Sequence, residues 1–135
     1  MNDPSTSEEW IAIAEGRGRD AQAIFENEPA SIGSVYMAGY VIECSLKAYI
    51  LKAYNAGLSK TEVRKIHNLR SLLQDANLRP SDLSLSDAAK TFYFSQWTPN
   101  FRYYSTLEGG YGMEDLLRGA SSVGKYIRRL AGRLK

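Results

Sequence analysis

From Ile32 to about Ala56 the chain carries apolar residues at helical spacing on two faces at once. One stripe runs Ile32, Val35, Tyr36, Gly39, Ile42, Leu46, Tyr49, Ile50 and Ala53; a second runs Met37, Val41, Cys44, Ala48 and Leu51. A surface helix needs only one apolar stripe, so a helix apolar on most sides is either central in a bundle or part of a subunit interface. No stretch elsewhere alternates in the manner of a strand, and there is no repeat.

The flanking segments have the same period. Trp10, Ile13, Ala14, Ala21, Ile24 and Phe25 share one face of a first helix, and the pairs Ser5–Glu8 and Thr6–Glu9 are both capping-box spacings at its start. Gly16 and Gly18 each weaken that helix by up to about 1 kcal/mol, so a local bend is expected there. Pro29 and Ser31 separate it from the second helix, which Gly57 stops. Ser59 with Glu62 opens a third helix ending near Asn77, with Ile66, Leu69, Leu72, Leu73 and Ala76 inward. A fourth is expected from about Ser86 to Gln96, broken by Thr98-Pro99-Asn100, and an irregular aromatic segment follows from Phe101 to Tyr111. The last helix, from about Met113, has the cleanest stripe: Leu116, Leu117, Ala120, Val123, Gly124, Ile127, Leu130, Ala131 and Leu134. The expected fold is all-α, an antiparallel up-and-down bundle of about five helices in one domain over residues 1–135.

Composition narrows the function classes. At 135 residues, 44% hydrophobic and 24% charged, the chain is too apolar for disorder and suits a single core. No run of about 18 apolar residues exists, so no membrane span is expected. Met1 to Glu9 is polar and acidic, unlike a signal peptide, which points to the cytoplasm. Cys44 is the single cysteine and His67 the single histidine, so neither a disulfide within the chain nor a metal site is expected, and no cofactor is implied. Residues 1–30 hold seven acids against Arg17 and Arg19, while residues 115–135 hold six bases against Asp115. A basic last helix can be a nucleic-acid footprint, which supports RNA only weakly; the plainer reading is acidic and basic helices side by side.

Three places break the local rules. Glu43 lies within the apolar second helix, where a carboxylate is costly to bury unless paired, and Lys47 stands four residues on in the favourable order. It either snorkels from the stripe's edge, pairing with Lys47 alone, or belongs to a polar site. His67 sits beside Asn68 among Ile66, Leu69 and Leu72; a lone histidine there is a structural hydrogen-bonder or a base. The segment Trp97 to Tyr104 packs aromatics around Arg102, whose planar fork suits phosphate or carboxylate, while Phe101, Tyr103 or Tyr104 could stack on a base. The competing reading has the aromatics plug the bundle while Arg102 caps helix carbonyls or pairs with Glu43. Gly109-Gly110-Tyr111-Gly112 is a connector, and no phosphate-loop fingerprint is present.

Taken together, these residues resemble the HEPN domains (higher eukaryotes and prokaryotes nucleotide-binding). Met37 to Ala48, with Glu43 followed by Leu46-Lys47-Ala48, resembles the second-helix signature. His67-Asn68-Leu69 with Leu72 resembles the family's His-x-Leu-x-x-Leu helix start, and Arg102-Tyr103 its late arginine–tyrosine element. The likeness spans about residues 8–130. It implies a helical bundle, frequently a homodimer, in prokaryotic toxin–antitoxin or nucleotidyltransferase-associated systems. Many members are metal-independent ribonucleases with an Arg-x(4–6)-His motif, from which this chain departs: Arg64 is only two residues from His67, and Lys60 stands where six intervene.

The expectation is therefore a non-enzymatic module binding a nucleotide or other phosphate-bearing ligand and a protein partner. Glu43, Lys47, His67, Arg102 and Tyr103 would line a polar groove, with Arg102 and Lys47 on phosphate and Tyr103 against a base. The alternative is a ribonuclease toxin with displaced groups, His67 acting with Lys60, Arg64 or Arg102. A third reading is a structural subunit that buries its doubly apolar second helix against a nucleotidyltransferase or antitoxin partner.

Overall fold

The computed structural model describes residues 3–53, 63 and 65–134, and contains no strand among them. Five α-helices are delimited among the described residues: α1 (Ser7–Asn27), α2 (Ile32–Ala53), α3 (Leu69–Asp75), α4 (Asp87–Thr91) and α5 (Met113–Gly132). The all-α bundle is as expected. The expected stop at Gly57 and the Ser59–Glu62 capping box lie outside the described residues.

Of the two capping boxes at the first helix, the chain uses the second. Thr6 accepts from the Glu9 backbone N–H at 3.1 Å, and the Glu9 carboxylate takes the Ser5 N–H in return. The helix runs unbroken through Gly16 and Gly18. Four residues then reverse the chain, with Ser31 Oγ accepting from the Gly33 N–H to start α2. So short a link leaves α1 and α2 antiparallel neighbours, and Ser7 Oγ accordingly donates to the Ala48 carbonyl at the far end of α2. On its other side α2 meets α5. Val41 faces Gly124, and Arg128 donates to Ser45, so these two helices run in the same direction. Gly124 permits the close approach: a Cβ there would stand 2.8 Å from Val41.

With α1, α5 and α3 packed around it, α2 is buried continuously from Val41 to Ala48. Its double apolar surface is thus accounted for inside one chain, as the central element of the bundle. One core joins α2 to the α3, α4 and α5 side through Ile42, Leu46, Leu72, Phe92, Leu116 and Ile127. A smaller one gathers Trp10, Ala14, Cys44 and Ala48 between α1 and α2.

The third and fourth helices differ from expectation in ways that shape the site. Ile66, His67 and Asn68 are not helical. Asn68 caps a fresh helix, its side chain accepting from the Ser71 N–H at 2.9 Å. Asparagine competes with the helix for backbone hydrogen bonds and so favours a cap over an interior position. The expected fourth helix is present but widens after Thr91 into a π-turn over Phe92–Gln96, closed by Trp97 N–H to the Phe92 carbonyl at 2.8 Å. The extra residue per turn lets Phe92, Tyr93, Phe94 and Trp97 all be buried. Arg70 of α3 clamps the end of this turn, donating to the Phe94 carbonyl and to Ser95 Oγ. A short 3₁₀ turn, Pro99–Tyr103, then leads into the aromatic segment.

Candidate functional site

Tyr36, Tyr40, Glu43 and Lys47 follow one another at spacings of four, three and four, so they form a polar line along one side of α2. Glu43 is only 2% exposed and Lys47 is fully buried. Lys47 Nζ donates to Glu43 Oε2 at 3.0 Å and lies 4.8 Å from the centre of the Trp10 ring. Burying this carboxylate is tolerable because a cation and hydrogen bonds accompany it. His67, held in the non-helical link before α3, adds to the same carboxylate: its Nδ1 is 3.3 Å from each Glu43 oxygen. The His67 side chain is half exposed, so one edge of the ring rests on a buried carboxylate while the remainder meets solvent.

Glu43 therefore does not sit at the stripe's edge, and its partnership extends beyond Lys47. Lys47, expected on phosphate, is buried between Glu43 and the Trp10 ring and is not exposed to solvent.

At the other end of the line the tyrosines couple through their hydroxyls, Tyr36 and Tyr40 being 3.2 Å apart. Tyr40 stacks edge-on against Trp97, whose Nε1 donates to the Tyr36 carbonyl. Gly39 makes this possible, since a Cβ at that position would overlap the Trp97 indole. Burial pushes the Tyr40 hydroxyl well above its ordinary pKa, followed by the bond to Tyr36 and the charge of Glu43, with Arg102 acting in the opposite direction. Tyr40 thus feels both Glu43 and Arg102, and separates them.

Arg102 closes the line. It is exposed, donates to the Pro99 carbonyl at 3.2 Å, and its Cζ lies 4.7 Å from the centre of the Tyr103 ring. It has no carboxylate partner among the described residues and does not pair with Glu43. Tyr103 first and Tyr36 next hold its charge more firmly than usual. Tyr103 at 73% exposed and Tyr104 at 55% are the exposed large hydrophobic side chains of the described surface.

Those two tyrosines, with Phe101, form the aromatic wall of a cavity of about 510 Å³. Ile32 and Leu107 supply aliphatic contact, and Gln96, Ser105, Thr106 and Glu108 supply the polar lining. Phe101 packs against Phe92 and Tyr104, and Tyr111 packs on Phe92, so the wall is anchored in the core. Gly109 sits at φ +104°, and a Cβ there would press on the Tyr111 ring at 2.7 Å; this loop is folded back as only glycine allows.

The five expected site residues thus divide into two groups. Glu43, Lys47 and His67 come together, as do Arg102 and Tyr103, with Tyr36 and Tyr40 between the groups. Those linking tyrosines escape notice in the sequence because tyrosine counts as apolar in a stripe, although the spacing 36, 40, 43, 47 was available to find them. Gln96, Ser105, Thr106 and Glu108 carry no pattern at all. Among the described residues no cluster of three or more His, Cys, Asp or Glu could hold a metal ion, and no helix is long and apolar enough to cross a membrane. Comparison with known proteins finds no matching family model, no matching curated protein and no matching solved structure.

Proposed function

We propose that this chain is a HEPN-like helical module that binds a nucleotide, or another aromatic ligand bearing phosphate, on the ledge formed by Arg102, Tyr103 and Tyr104. The observation that carries the reading is an exposed guanidinium without a carboxylate partner among the described residues, placed on a solvent-facing tyrosine beside an aromatic-walled cavity of about 510 Å³. A guanidinium fork matches phosphate geometry, and an exposed aromatic face stacks on a base. The cavity lies within the size range of small-ligand sites, about 300–1,000 Å³. Lys47 and Glu43 act beneath the ledge as a neutralised pair that fixes α2 and the start of α3.

A thermal-shift titration tests this, with ATP, GTP, their diphosphates and a short RNA, first without metal and then with magnesium. A ligand at about 100 times its Kd adds about 2.7 kcal/mol and raises the Tm by several degrees. The shift should vanish in Arg102→Ala, whose exposed side chain can be removed without unfolding the chain. No shift with any ligand, or a shift unchanged in Arg102→Ala, contradicts the reading.

One observation favours a second reading, the ribonuclease with displaced groups: His67 Nδ1 rests on a buried carboxylate, the arrangement that orients a general base. Purified protein would then cleave RNA without metal, and His67→Ala would abolish the cleavage. RNA left intact by the wild-type protein removes this alternative.

A further inference from the structure

The lining of the ledge cavity specifies more than an aromatic ligand. Glu108 is the one charged residue among the described residues that line it, and Glu108 makes no ion pair or hydrogen bond to another described residue. The side chains of Gln96, Ser105 and Thr106, the other polar lining groups, likewise make no hydrogen bond to another described residue. From Ser105 to Tyr111 no backbone N–H donates to a backbone carbonyl among the described residues. These four side chains are exposed, so the cavity combines stacking surface with polar groups that a ligand can reach, one of them an acceptor-only carboxylate, while the cation Arg102 stands outside at the Tyr103 ring. A matching ligand is a planar ring with two adjacent N–H donors on one edge and an anion at a distance from that edge.

Resting on the nucleotide reading above, we propose that the cavity takes a guanine base in preference to adenine, with Glu108 reading its Watson–Crick edge and Arg102 holding the phosphate. Guanine presents N1–H and the N2 amino group side by side, and an ionised carboxylate can accept from both. Adenine offers its N6 amino group next to N1, an acceptor that would face a carboxylate oxygen with no proton between them. The Gln96 amide can donate to the guanine O6 oxygen. Tyr103 and Tyr104 stack on either purine alike, so discrimination falls to the carboxylate.

The test is calorimetric titration of the full chain with GMP and with AMP, repeated on Glu108→Gln and Arg102→Ala. These ligands share ribose and phosphate, so only the base differs. GMP should bind at least about tenfold more tightly than AMP, a hydrogen bond to a charged acceptor being worth that much. Glu108→Gln should abolish the preference for GMP, because an amide, with one donor and one acceptor, can pair with the adenine edge as well as the guanine edge, and Arg102→Ala should weaken both. Equal affinity for the two nucleotides, or a guanine preference that survives Glu108→Gln, overturns the proposal. If Arg102→Ala still weakens both in that event, the nucleotide reading itself stands. Absence of binding by either nucleotide overturns both.

Discussion

Two polar clusters lie along the same side of α2, built on opposite terms. In the Glu43–Lys47–His67 cluster Glu43 and Lys47 are buried and bonded to each other, and half-exposed His67 rests on the same carboxylate. In the Arg102–Tyr103 cluster the cation and two large aromatic rings are turned outward, and the polar groups beside them face solvent. The first arrangement is costly to disturb, because removing one partner strands a charge in a medium that cannot solvate it. The second costs the fold little, because water satisfies those groups until something better arrives. A buried ion pair in one region and an unpaired exposed arginine in the other thus assign support to the first and recognition to the second.

The sharpest way to break this comparison is to remove the buried cation. Lys47→Met leaves Glu43 with His67 as a half-exposed neighbour and should cost about 3–5 kcal/mol in urea unfolding. The double replacement Glu43→Leu with Lys47→Met should recover most of that loss, since an apolar pair of similar volume needs no compensation. A loss below about 1 kcal/mol in the single variant would mean that Glu43 is satisfied without Lys47. His67→Ala, at the exposed end of the same cluster, should cost less than about 1 kcal/mol.

A smaller effect concerns alkaline pH. Burial first, and the charge of Glu43 second, push the Cys44 thiol up to about 12 from an ordinary value of 9.0. The sign follows from proton counting. Above about pH 9 the unfolded chain loses this proton while the folded chain keeps it, so stability falls as pH rises, and below that pH the thiol contributes no slope. Tyr40 and Tyr93 are raised by burial in the same sense and extend the fall to higher pH, Tyr93 through a hydroxyl that donates to the Leu116 carbonyl. Urea midpoints measured across this range should decline, and Cys44→Ala should flatten the first part of the decline.

How much of this could be read in the sequence depends on whether a residue broke a pattern. Helices α1, α2 and α5 were legible because their apolar stripes persist for five turns or more, and Glu43 was legible because a carboxylate within such a stripe demands a partner. The break at His67–Asn68 was hidden, because Ile66, Leu69 and Leu72 keep helical spacing across it. Asn68 was the signal, a residue that caps more readily than it continues. The π-turn was illegible, since four buried aromatics between Phe92 and Trp97 fit no simple period and only the widened turn accommodates them. The burial of Lys47 was equally hidden: a lysine four residues after a glutamate reads the same on a wet face as inside a core. Arg102 and Tyr103 stood out by composition, but the loop that completes their cavity, with Ser105, Thr106 and Glu108, is ordinary polar sequence whose role depends on where Phe101 and Tyr111 anchor it.

The most direct test of the division of labour is an amide ¹H–¹⁵N correlation spectrum of the intact chain during titration with GMP. Recognition at the ledge predicts shifts confined to Gln96, the segment from Phe101 to Glu108, and Ile32 across the cavity, with Glu43, Lys47 and His67 unmoved. Shifts centred on His67 and Glu43, with the aromatic loop unchanged, would contradict it by placing recognition in the cluster assigned here to support.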